Sequence, residues 1–177
     1  MLIGLSGKRG VGKTLGASYL VNEHGFTKLS LADDLKVIAK ILFPFSDNDL
    51  RIPSKKEAKF KEYDWTPRDF MIHLGEFMRF HDANYWLNKT TKRCEDTKID
   101  YVIDDIRFKN EAQAIKDRGG KIIRINRYEK LNIYGKNLDT PSETDLDSWP
   151  FDFVIHEIRN TSQMELFRQL ESFLELE

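Results

Sequence analysis

Apolar residues along the chain follow two rhythms, short unbroken runs and stripes spaced by three or four, and the two alternate. Leu2-Ile3-Gly4-Leu5 is a short apolar run that predicts a buried strand, and residues 14–23, with Ala17, Leu20 and Val21 as apolar positions, predict the helix after it. Phe26-Thr27-Lys28-Leu29-Ser30-Leu31 predicts a second strand, and 32–43 a helix with Leu35, Ile38, Ala39 and Leu42 on one face, ended by Pro44. Residues 45–65 are polar and charged with weak periodicity, and are expected to form a mobile surface excursion. Thr66-Pro67 then opens a helix to about residue 80, with Thr66 as N-cap and Pro67 at the first helical position, where a missing N–H costs nothing. Its apolar set is Phe70, Leu74, Phe77 and Met78, with Phe77 expected in the core, and a further helix over 83–94 carries Tyr85, Trp86 and Leu87.

The second half repeats the alternation. Tyr101-Val102-Ile103 is an apolar run ending in Asp104-Asp105, a helix is expected over 110–118 with Gly119-Gly120 closing it, and Lys121-Ile122-Ile123-Arg124-Ile125 is the next strand. Residues 126–149 keep no period and are rich in Asn, Asp, Ser, Thr and Pro, which predicts a long loop that is either functional or a disordered insertion. Phe153-Val154-Ile155 is a last short strand, and Ser162-Gln163-Met164-Glu165 fits a capping box that opens a final helix with Leu166, Phe167, Leu170, Phe173 and Leu174 inward. Strands alternating with helices imply an α/β fold: a parallel sheet of about five strands flanked by helices, with ligands at the carboxyl ends of the strands.

Composition narrows the class. A chain of 177 residues suits a single domain, and 28 Lys and Arg against 29 Asp and Glu leave no basic excess for wrapping nucleic acid. The single cysteine, Cys94, cannot form an internal disulfide, the four histidines are scattered, and the apolar N-terminus is too short for a signal-peptide core, so a cytoplasmic protein without a membrane span is expected.

Between the first strand and helix stands Gly7-Lys8-Arg9-Gly10-Val11-Gly12-Lys13-Thr14, which matches G-x-x-x-x-G-K-[ST] at every fixed position. The glycines let consecutive N–H groups point inward, and the following helix adds its positive end, so the loop is an anion cradle. Lys13 can reach the β- and γ-phosphates of a nucleoside triphosphate, and the Thr14 hydroxyl can hold Mg²⁺. The third strand delivers Asp104-Asp105 near this loop, where a carboxylate can serve a metal-bound water, although the same pair also reads as a solvated strand end before an acidic helix start.

At this point the chain resembles a family. Asp105-Ile106-Arg107-Phe108 followed by Asn110-Glu111-Ala112, together with the loop, is similar to the phage-type deoxynucleoside monophosphate kinases. Ala32-Asp33-Asp34-Leu35-Lys36, Thr66-Pro67-Arg68-Asp69-Phe70, Leu74-Gly75-Glu76 with Arg79, Trp86, Ser142-Glu143 and Asn160 agree in order. The resemblance implies a P-loop fold with an acceptor-binding helical region at about 44–95 and a lid at about 126–149. It implies phosphoryl transfer from ATP, with Mg²⁺, to a deoxynucleoside monophosphate. Lys13, Arg127, Asp105 and Arg107 would be catalytic, and Gly7, Lys8, Arg9, Gly10, Val11, Gly12, Lys13, Thr14 and Asn160 would bind ATP. Asp33, Lys36, Arg68, Arg79, Trp86, Arg107 and Glu143 would bind the acceptor, and Thr14 and Asp105 the metal. Nucleotides would be the partners, with no nucleic acid or membrane, a homodimer being left open; a phage-encoded chain would act in the host cytoplasm.

Charge supports such roles. Transfer between two phosphates gathers negative charge in one cleft and calls for a cationic ring more than a base, and arginine forks suit an acceptor monophosphate. Two other readings stay open: a small-molecule phosphate kinase of the same fold, similar to phosphomevalonate kinase, and a nucleotide-dependent switch or assembly ATPase. The absence of Asn-Lys-x-Asp argues against a GTPase switch.

Overall fold

A computed structural model describes residues 1–59, 64–127, 140–156 and 163–176. Five strands form one sheet: β1 (Leu2–Ser6), β2 (Thr27–Leu29), β3 (Tyr101–Ile106), β4 (Lys121–Ile125) and β5 (Phe153–Ile155). Their order is β2-β3-β1-β4-β5, and every neighbouring pair is parallel, as the alternation of runs and stripes predicts. The helices are α1 (Lys13–His24), α2 (Asp33–Leu42), α3 (Asp47–Arg51), α4 (Pro53–Lys56), α5 (Pro67–His81), α6 (Tyr85–Thr91), α7 (Lys109–Lys116), α8 (Pro141–Thr144) and α9 (Gln163–Leu174). Among the described residues no helix is long and apolar enough to cross a membrane.

Alternation along each strand sends neighbouring side chains to opposite faces, and so divides the core. On one face Ile3, Leu5, Val102, Ile123 and Ile125 pack with Ala17 and Leu20 of α1 and Leu166, Leu170 and Phe173 of α9. On the other, Ile103, Ile106 and Ile122 pack with Leu35 of α2, Trp86 and Leu87 of α6, and Ala112 and Ile115 of α7. Ile103 and Ile106 share a face although three residues apart, which strict alternation forbids. The pairing with β1 explains it: Gly4 lies opposite Ile103 and Ser6 opposite Ile106, so β3 carries one extra residue there. Asp104 and Asp105 lie inside that irregularity.

Two expectations need correction. Residues 45–59 are built into the fold: Ser46 caps α3 in a reciprocal pair with Asp49, Phe45 and Leu50 are buried, and Trp65 and Phe70 stack with ring centroids 5.8 Å apart. Apolar residues spread over short helices gave no period to read. Phe77 is 58% exposed and stands outside the core. The N-cap is as expected: Thr66 Oγ1 accepts from Asp69 N at 3.1 Å while Asp69 Oδ2 accepts from Thr66 N at 2.9 Å.

Candidate functional site

β1 ends in the glycine loop, whose turn demands glycine. Gly7, Gly10 and Gly12 have φ of +146°, +82° and +110°, and a Cβ on Gly7 would meet the Ile125 carbonyl oxygen at 2.5 Å. α1 starts with no side-chain cap and no acid in its first turn, leaving its positive end for an anion. Lys13 is buried to 8% exposure and donates to the Gly7 and Lys8 carbonyls at 2.6 and 2.9 Å. Burial, then the positive charge of Arg107, brings its pKa down to about 7.

The two aspartates divide their work. Thr14 Oγ1 donates to Asp104 Oδ2 at 2.9 Å, and the Lys28 ammonium lies 2.8 Å from the same oxygen. Asp105 turns away to the strand-to-helix turn after β2, accepting from Ser30 Oγ at 2.6 Å, Leu31 N at 2.8 Å and Ala32 N at 3.0 Å. Burial and the charge of Asp104 raise its pKa. The carboxylate beside the loop threonine is therefore Asp104, whereas Asp105, expected to hold the metal and act in catalysis, is bonded to the turn after β2. The extra residue in β3, which a sequence pattern does not reveal, decides which of two adjacent acids meets α1.

Arg107, just past β3, donates through Nη1 to Glu143 Oε1 and to the Ser142 carbonyl at 3.3 Å. Glu143 is itself buried, and its Oε2 accepts from Arg9 N at 2.8 Å. Both oxygens of Glu143, a residue expected at the acceptor, are thus spent inside the protein, where they tie Arg107 to the glycine loop. The residues around it are tied down as well. Asp145 accepts from Lys109 N at 2.7 Å, Asp147 lies 2.8 Å from Arg124 Nη2 and 3.3 Å from Lys8 Nζ, and Leu146 is buried. So 140–149 forms a strap fastened over the loop, and this part of the expected lid is no free flap; 128–139 and Asn160 lie outside the described residues. Arg127 is half-buried, and its Nε has no hydrogen-bond partner among the described residues.

On the helical side the expected acceptor residues fall into pairs. Lys36 Nζ lies 2.9 Å from Asp33 Oδ1 at the start of α2. Arg68 Nε is bonded to Glu57 Oε1, an oxygen also 3.5 Å from Arg9 Nη1, so Glu57 links the helical region to the glycine loop. Arg79 lies over the Phe108 ring, 4.6 Å from its centroid, with Nη2 3.5 Å from Glu111 Oε1. Burial raises the Glu111 carboxyl to a pKa of about 7, against the pull of the Arg107 and Phe108 N–H groups it accepts. Trp86 is core: 2% exposed, its indole N–H donates to the Gly75 carbonyl at 3.2 Å, so it has no face for a substrate. Sequence reasoning missed Lys28, Glu57 and the buried Glu111. Only Glu111, inside the stretch Asn110-Glu111-Ala112, carried a signal.

No protein-family model matches the chain. A protein of Acanthamoeba polyphaga mimivirus named "Putative deoxynucleotide monophosphate kinase" is 31% identical over 191 residues, an alignment covering 96% of this chain and 94% of that protein. Among solved structures, a dephospho-CoA kinase from Campylobacter jejuni superposes with a TM-score of 0.52 at 14% identity, covering 99% of this chain and 96% of that one. A shikimate kinase from Aquifex aeolicus gives 0.51 at 15% identity with coverage of 99% and 96%. At such identities these two likenesses concern the fold, that of the P-loop kinases, whereas the viral relative matches over nearly its full length. By that match the protein belongs to the deoxynucleotide monophosphate kinase family and is a phosphotransferase.

Proposed function

We propose that the protein transfers the γ-phosphoryl group of ATP to the phosphate of a deoxynucleoside monophosphate. The observation that carries the reading is the crowd of cations at the mouth of the loop: Lys13 is buried in the loop, Arg9 and Arg68 share Glu57, and Arg107 is held by Glu143, whose other oxygen accepts from Arg9 N. Neighbouring cations held in place by carboxylates suit two phosphate-bearing ligands meeting end to end. The viral relative's name supports a deoxynucleotide as the acceptor.

In the reaction an oxygen of the acceptor phosphate forms a bond to the γ-phosphorus while the bond to the β,γ-bridging oxygen breaks, giving ADP and a deoxynucleoside diphosphate. A phosphate monoester is already a dianion near neutral pH, its second pKa being about 6, so the nucleophile needs no base. Lys13 would leave the Gly7 and Lys8 carbonyls for the β- and γ-phosphates, Arg107 and Arg127 would face the transferring group, and Arg68 and Arg79 the acceptor. Thr14 and Asp104 suit Mg²⁺. They are a hydroxyl at the start of α1 and a carboxylate of β3 in contact with it, hard oxygen donors of the kind Mg²⁺ takes beside water and phosphate. When bound, the ion neutralises charge on the phosphate oxygens.

Coupled assays of ATP consumption with each of the four common deoxynucleoside monophosphates, and with thymidylate analogues, test the reading. Consumption should require at least one of them and fall by about a hundredfold to a thousandfold in Lys13→Ala. Steady ATP hydrolysis indifferent to every monophosphate would overturn it.

A further inference from the structure

Every other cation assigned above to the mouth of the loop and to the acceptor pairs in the helical region, Arg127 aside, has a partner. Arg68 and Arg9 share Glu57, Arg107 holds Glu143, Lys36 holds Asp33, Arg79 approaches Glu111, and Lys13 is folded onto carbonyl oxygens. Lys56, the last residue of α4, is different. It is half-buried, and its ammonium makes no hydrogen bond or ion pair with any described residue. The charges that act on it come from three separate elements: Arg68 on α5, Lys36 on α2, and Arg107 after β3, with Asp105 the opposing acid. Asp105 is spent on Ser30, Leu31 and Ala32. The next residue, Glu57, pins the end of α4 between Arg68 and the loop, so Lys56 is held at the junction of the acceptor side and the loop.

A cation partly withdrawn from water, without an acid among the described residues, and set next to the Glu57 that already holds two arginines, is a cost to the folded chain unless an anion completes it. We propose that Lys56 is a further substrate-binding residue, the cation that takes the phosphate of the acceptor. The inference rests on the phosphoryl-transfer reading for the identity of the ligand, and on the charge arrangement alone for its being a phosphate monoester. Arg68 and Lys36 lie on the acceptor side, so the acceptor phosphate rather than the ATP γ-phosphate is the group assigned.

The experiment compares wild type with Lys56→Gln and Lys56→Arg in dependence on acceptor and on ATP. Removing a charge-assisted contact to one ligand should raise the acceptor KM by about tenfold to a hundredfold, leave the ATP KM within about twofold, and be largely restored by arginine. Thermal stability should hold or rise in Lys56→Gln, because an unpaired cation is being removed, whereas a structural role would lower it. A second readout is the stabilisation of each variant by inorganic phosphate with the loop filled by ADP. An unchanged acceptor KM, or equal changes for both substrates, overturns the assignment. Should wild type accept no monophosphate at all, the phosphoryl-transfer reading falls by itself: phosphate stabilisation lost in Lys56→Gln would then still support an anion site at Lys56, and stabilisation retained would overturn that site too.

Discussion

Two adjacent aspartates of the same chemistry bond to different parts of the fold, and the difference can be measured. Asp104 accepts from one hydroxyl and faces a lysine, so Asp104→Asn should cost turnover, about a hundredfold or more, with little effect on the unfolding midpoint. Asp105 closes the turn between β2 and α2 through three donors. Asp105→Asn brings an NH₂ group against those donors, and should cost about 1–3 kcal/mol of stability in denaturant titrations. The reverse pattern would return the metal-side role to Asp105. Lys13 gives a pH signature. With a pKa brought down to about 7 in the free protein, it is largely neutral at pH 8, and triphosphate favours its ammonium form. ATP binding at pH 8 should therefore take up a proton that Lys13→Met does not. Calorimetry in buffers of different ionisation enthalpy reads that uptake, and the difference between the two proteins should fade at pH 6, where Lys13 is already charged.

At the scale of elements, the strap at 140–149 is where the sequence was hardest to read. Its composition is that of a loop, yet Leu146 is buried and Glu143, Asp145 and Asp147 each reach a different part of the loop or its surroundings. Leu146→Ala should cost about 2–5 kcal/mol, as loss of a buried leucine does, and speed amide exchange from residue 140 to 149. Unaltered stability would mean that the strap rests on its ion pairs instead. The long elements were legible because a helix such as α5 repeats its apolar positions over several turns and announces its start with Thr66-Pro67. The strap, α3 and α4 were not, because four or five residues cannot show a period and their contacts are distant in sequence. The same reason hid Glu57, whose meaning comes from Arg68 and Arg9, and Lys56 beside it. The glycine loop was legible throughout, since its chemistry is local.

At the scale of the molecule, the candidate groups arrive at one edge of the sheet because each follows the carboxyl end of a strand. The glycine loop follows β1, the Ser30 turn β2, Arg107 β3 and Arg127 β4. That common edge follows from an all-parallel sheet and was readable from the alternation of runs and stripes. Its order has a further consequence during synthesis. The central strand, β1, leaves the ribosome first, yet its neighbours begin only at Tyr101 and Lys121. At about 5–20 residues per second the strand that carries the loop must wait on the order of 5–20 seconds for its first partner. In that interval Ile3 and Leu5 can be covered by the early members of their own core, among them Val11, Ala17, Leu20 and Phe26, while the backbone edges of β1 stay unpaired. The segment that carries the glycine loop thus keeps both of its strand edges open in the nascent chain until β3 arrives.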